Sequence, residues 1–145
     1  MVPRNLCKPK KVYEVSGKPV YLQWISDPFE TADGKKMPIC VSRDRGVLTI
    51  YIVWNEDIKL LNPDVINFVL WHEIGHIALD HYKHGGPRDE KVEAEADAFS
   101  RSHVGNIFFK REDIANFCRW FGYVCGKPEK ITEYYIQSQC KRFGI

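Results

Sequence analysis

His72-Glu73-Ile74-Gly75-His76 sets two imidazoles four residues apart, with a carboxylate beside the first. On a helix, positions i and i+4 lie one turn apart on one face. Two ring nitrogens at that spacing can converge on one zinc ion, at about 2.0–2.1 Å each. Glu73 then sits where it reaches a water at the metal without ligating the metal, which is the place of a general base. The bland alternative is a pair of satisfied core histidines with Glu73 exposed. Against it, His and Glu in the middle of an apolar helix cost solvation energy unless they find partners.

An open zinc site needs a third protein ligand and leaves a fourth position for water or substrate. A third His six residues after His76, with Gly at the third, would make one known pattern, but Tyr82 and Leu79 hold those positions. Asp80 shares the face of His72 and His76, yet it lies about 12 Å along the axis from His72. Three ligands on one straight stripe do not easily meet at one ion, so Asp80 reads as a surface or supporting acid. The segment Glu93-Ala94-Glu95-Ala96-Asp97-Ala98-Phe99 offers a better answer. Glu93 and Asp97 are four apart on one helical face, and the alanines allow close approach to a neighbouring helix. Glu93 can complete a two-His, one-Glu set, with Asp97 hydrogen-bonded to a ligating imidazole to fix its tautomer. Glu95, two residues from Glu93, points elsewhere. The alternative here is a solvated acidic face on an alanine-rich helix.

HEIGH followed by EAEADAF resembles the gluzincin pattern of HExxH plus ExxA[D/N]. With its short gap between motifs, the chain looks most like the ImmA/IrrE-type metallopeptidases. The resemblance covers roughly residues 65–100. It implies zinc held by His72, His76 and Glu93, with Glu73 as the base. It also implies hydrolysis of a peptide bond in a specific protein substrate, such as a repressor or regulator. Related zinc peptidases hold substrate along a sheet edge beside the HExxH helix. Val47–Trp54, the strand nearest in sequence, is the first candidate for that edge and Pro38–Val41 the second. Two other classes remain: a regulatory protein-binding module that keeps a zincin fold but cleaves nothing, and a closed structural zinc site. Neither needs a carboxylate at Glu73.

These residues require elements to hold them. Val12–Ile25 is rich in Val, Tyr and Trp around Ser16-Gly17-Lys18, which reads as a hairpin. Residues 26–38 carry Pro28, Gly34 and Pro38 and read as loop. Pro38–Val41 is a short strand, Ser42–Gly46 a turn, and Val47–Trp54 a strand apolar on both alternating sets, hence covered on both faces. Asn62-Pro63-Asp64 is a helix start. That helix runs to about Tyr82 and is broken at Gly85-Gly86-Pro87. Further helices are expected from Arg88 to about Val104, from Lys110 to about Val124, and from Pro128 or Glu129 to Phe143. The expected fold is α+β: a three- or four-stranded N-terminal sheet, then about four helices, with the HExxH helix packed on the sheet. Residues 1–145 form one domain, in line with roughly 100–200 residues per domain.

Composition narrows the partners. A net charge of +2 is too small to argue for nucleic acid. Residues 47–109 hold five Lys+Arg against ten Asp+Glu, an acidic centre between mildly basic ends. No phosphate loop, dinucleotide fingerprint or zinc-finger spacing occurs. No apolar run approaches the roughly 20 residues of a membrane span. Met-Val-Pro-Arg-Asn-Leu-Cys lacks the apolar core of a signal peptide. Five cysteines without CxxC point to reduced thiols and a cytoplasmic setting. Cys118 and Cys125 share a helical face and belong to a core. His81, Tyr82, His84 and His103 are weaker candidates for a donor to an oxyanion. Phe117, Trp120, Phe121, Tyr134 and Tyr135 read as core or partner surface.

Overall fold

The computed structural model describes residues 2–30, 34, 36–81, 90–105 and 107–145. Tyr82, His84, the glycines 85–86 and the start expected for the second helix lie outside them. The expected hairpin forms from β1 (Lys10–Val15) and β2 (Lys18–Ile25), joined through Ser16 and Gly17 at φ 52° and 79°. Two successive residues of positive φ give the turn whose twist matches paired strands. Within the stretch read as loop, β3 (Phe29–Glu30) and β4 (Lys36–Met37) pair as a small ribbon. β5 (Ile39–Asp44) is longer than expected, because the turn narrows to Arg45-Gly46, and β6 (Val47–Val53) follows it.

The main sheet has the order β1-β2-β6-β5. β2 and β6 are parallel, while the outer pairs are antiparallel. β6 is therefore central, which removes Val47–Trp54 as a substrate edge. The edge strands are β1 and β5. β6 is covered on both faces, more fully on one: Ile50 and Ile52 are fully buried against the helical layer, while on the opposite face Val53 is buried and Thr49 and Tyr51 are half-buried. Phe29 of the small ribbon meets Tyr51 there, ring centres 5.0 Å apart.

Helix α1 (Pro63–Ala78) begins where the Asn62 side chain accepts the Asp64 N–H at 2.9 Å. It lies between two cores. Ile74 and Ile77 pack with Val20, Leu22, Ile50 and Ile52 of the sheet. Val65 joins Ile114, Ala115, Cys118, Ile136 and Cys140 on the other side. α2 (Glu90–Val104) packs along α1, and buried Ser100 donates to the Phe68 carbonyl at 2.7 Å. α3 (Arg111–Cys125) ends on left-handed Gly126. The expected fourth helix is split. Pro128–Ile131 makes one tight turn, then extended Thr132 caps α4 (Glu133–Arg142) by accepting the Tyr135 N–H. All five cysteines are free, and Cys118, Cys125 and Cys140 are buried.

Candidate metal centre

Two features bring α1 and α2 close enough to share a site. One is the absence of a side chain at Gly75: a Cβ built there would lie 3.1 Å from Phe99 Cβ and 3.3 Å from Ala96 Cα. The other is the small Ala96 opposite, itself fully buried. Across this contact Glu93 of α2 reaches the two histidines of α1. His72 Nε2 and His76 Nε2 are 3.0 Å apart. Glu93 Oε2 lies 2.9 Å from His72 Nε2, and Glu93 Oε1 lies 3.4 Å from His76 Nε2. Donors held tetrahedrally at about 2.0–2.1 Å from zinc stand roughly 3.3 Å from one another. The donor triangle and its chemistry, two imidazoles and a carboxylate, fit such an ion.

The burial is unusual for polar groups and demands partners. His72 is 5% exposed and His76 fully buried. The His72 Nδ1–H donates to Asp97 Oδ1 at 2.7 Å, as the i+4 spacing of Glu93 and Asp97 predicts. This leaves His72 Nε2 facing the shared site. Burial alone would depress the His72 imidazolium, but its bonds to Asp97 and Glu93 outweigh burial and raise it. Glu93 is held well below the usual carboxylate range by hydrogen bonds with His72 and then His76.

Arg142, at the end of α4, was not singled out by the sequence, and it completes this arrangement. Its Nε donates to Asp97 Oδ2 at 2.8 Å and its Nη2 to Oδ1 at 2.7 Å. The Nη2 also stands 3.3 Å from His72 Nδ1, since both approach the same oxygen. Of these two contacts, the carboxylate at 2.7 Å takes the imidazole proton. Burial pushes Asp97 upward, yet Arg142 and then His72 hold it down at about 2. No spacing rule connects Arg142 to a residue 70 positions earlier, so only the folded chain reveals it.

His81 and Glu95 correct a reading. Glu95 does point away from the donor triangle, but it is not uninvolved. Its Oε2 lies 3.1 Å from His81 Nε2, and His81 Nδ1 lies 2.8 Å from His76 Nδ1. His81 thus backs His76 on the side away from the donor triangle. His103 is remote in another way, stacked on Trp71 and Phe99 with ring centres 4.5 and 4.3 Å apart. Asp80 is exposed beyond the helix end.

A cavity of about 530 Å³ opens beside the triangle, lined by His72, Glu73, Glu93 and Arg142. Ile39, Cys40 and Val41 of β5 form one wall, and Val69, Ile114, Phe117, Phe121, Tyr135 and Phe143 supply an apolar floor. Of the C-terminal aromatics, Phe117, Phe121 and Tyr135 therefore line this cavity, Trp120 is buried, and Tyr134 is exposed. Among the described residues no helix is long and apolar enough to cross a membrane. Searches against family models, curated proteins and solved structures return no match to this chain.

Proposed function

We propose that this chain is a zinc-dependent peptidase of the gluzincin kind, similar to the ImmA/IrrE-type enzymes, acting in the cytoplasm on a specific protein such as a repressor. The observation that carries the reading is the convergence of His72, His76 and Glu93 donor atoms at 2.9–3.4 Å beside a cavity that Glu73 also lines. These three side chains would hold the ion. When bound, zinc supplies Lewis acidity toward a water and toward a carbonyl oxygen.

The remaining tasks fall to the chain itself. Glu73, adjacent to His72 on the cavity side, takes a proton from the attacking water and returns it to the departing amide nitrogen. β5 is an edge strand and a wall of the cavity, so an extended peptide can pair with it by main-chain hydrogen bonds. The floor formed by Phe117, Phe121 and Ile114 accepts an apolar side chain and excludes water from the reacting bond. Asp97 and Arg142 hold His72 in place throughout.

The test separates ligation from proton transfer. Zinc-loaded wild type and Glu73→Gln are compared on a quenched-fluorescence library of extended peptides. Glu73→Gln should take up zinc as wild type does and lose about 10²–10⁴-fold in cleavage rate, the usual contribution of a positioned acid–base group. Equal cleavage by both would remove Glu73 from the mechanism. A zinc-loaded wild type that cuts nothing in the library would instead favour a binding module that retains the fold.

A further inference from the structure

We propose that His81 and Glu95 are positioning residues that set the tautomer of His76, so that its Nε2 lone pair faces His72 and Glu93. The inference rests on the metal-site reading and extends it to two residues outside the ligand set.

The backbone brings His81 to His76. α1 ends with the Leu79 N–H on the Gly75 carbonyl at 2.9 Å, the Asp80 N–H on Ile77 at 3.1 Å and the His81 N–H on His76 at 2.9 Å. Asp80 adopts the left-handed conformation at φ 59° that this ending requires. In such an ending the second residue past the cap folds back on the last full turn, and the contact is commonly apolar. Here both partners are histidines, ring centres 5.0 Å apart. The His81 side chain is 7% exposed, so its two nitrogens depend on protein partners.

The proton positions follow from donor and acceptor types. An ionised carboxylate only accepts, so Glu95 Oε2 takes the proton of His81 Nε2 at 3.1 Å. A neutral imidazole with its proton on Nε2 accepts at Nδ1. With His81 in that form, the 2.8 Å contact between the Nδ1 atoms makes His76 Nδ1–H the donor. This turns His76 Nε2 toward the ion it would hold, and a ligating nitrogen carries no proton. Asp97 orients His72 in the same way, directly. Each HExxH histidine is thus oriented by a carboxylate of α2, one at first hand and one through an intervening ring. The relay keeps the His76 proton on Nδ1 and off Nε2, the atom that would ligate.

Two readouts test this. Long-range ¹⁵N–¹H correlation spectra of the zinc-loaded wild type should show His76 with its proton on Nδ1 and His81 with its proton on Nε2. Zinc affinity, measured by competition with a chromophoric chelator, should fall about ten- to a hundredfold in Glu95→Ala and in His81→Phe, the usual cost of removing a ligand's outer partner. Glu90→Ala takes the same charge from the same helix and should leave the affinity unchanged. Should His81→Phe fail to fold, the wild-type spectra still decide. A His76 proton on Nε2, or undiminished zinc affinity in Glu95→Ala, would overturn the relay while leaving the metal site intact. Wild type that binds no zinc at all would overturn the metal reading itself, and the relay with it.

Discussion

Asp97 serves three donors with two oxygens: the Nε and Nη2 of Arg142 and the Nδ1 of His72. This gives a pH dependence with a definite sign. Its folded value, about 2, lies below the ordinary 3.8, so its contribution to stability is present above pH 3.8 and is lost as pH falls through about 2. The shift corresponds to roughly 2 kcal/mol. His72 has the opposite sign. Its raised folded value stabilises the metal-free protein below the ordinary 6.5, and that contribution is lost as pH rises through the folded value. Urea titrations of metal-free protein should therefore lose stability both below pH 4 and above neutrality, and Asp97→Asn should shrink the acid limb to the part that Glu93 contributes. Most of these side chains were legible in the sequence, because i, i+4 spacing places His72 with His76 and Glu93 with Asp97. The contact of His81 with His76 and the presence of Arg142 were not. His81 falls inside the helix expected to run to about Tyr82, whereas α1 ends at Ala78 and left-handed Asp80 turns His81 back, and Arg142 lies on a different helix altogether.

At the level of elements, the approach of α1 to α2 decides whether Glu93 reaches the histidines. Gly75→Ala gains up to about 1 kcal/mol of helix propensity. The new Cβ, however, would meet Phe99 Cβ at 3.1 Å and Ala96 Cα at 3.3 Å, atoms fixed to the backbone of α2. Overpacking of this kind typically costs about 1–3 kcal/mol. The net expectation is a lower thermal midpoint, and zinc affinity reduced because α2 retreats with Glu93. A variant that kept both wild-type affinity and midpoint would show that the close contact is not required. Propensity and cap signals revealed the hairpin, the start of α1 and the end of α3. They did not reveal strand order. The apolar run Val47–Val53 is compatible with several places in a sheet, and its nearness to α1 in sequence favoured an edge. The parallel pairing with β2, from Val20↔Leu48 to Ile25↔Val53, places it centrally instead. Likewise Thr132 stops one helix and starts another because its hydroxyl accepts a backbone N–H, a choice that local composition leaves open.

Across the whole molecule, α1 separates a sheet-side core from a second core built by α3 and α4. The donor triangle and the cavity lie where α1 meets α2, the β5 edge and the C-terminal helices. The fold class was readable from the order of strand-like and helix-like segments, but the cavity was not, since all of its floor but Val69 comes from residues more than 40 positions after His72. The metal site is the premise of every functional statement, and it is tested by calorimetric titration of metal-free protein with zinc. Wild type should saturate at about one zinc per chain, the stoichiometry of a mononuclear site, and Glu93→Ala should bind far more weakly. No saturable binding by wild type, or equal binding by Glu93→Ala, would contradict a centre built from His72, His76 and Glu93.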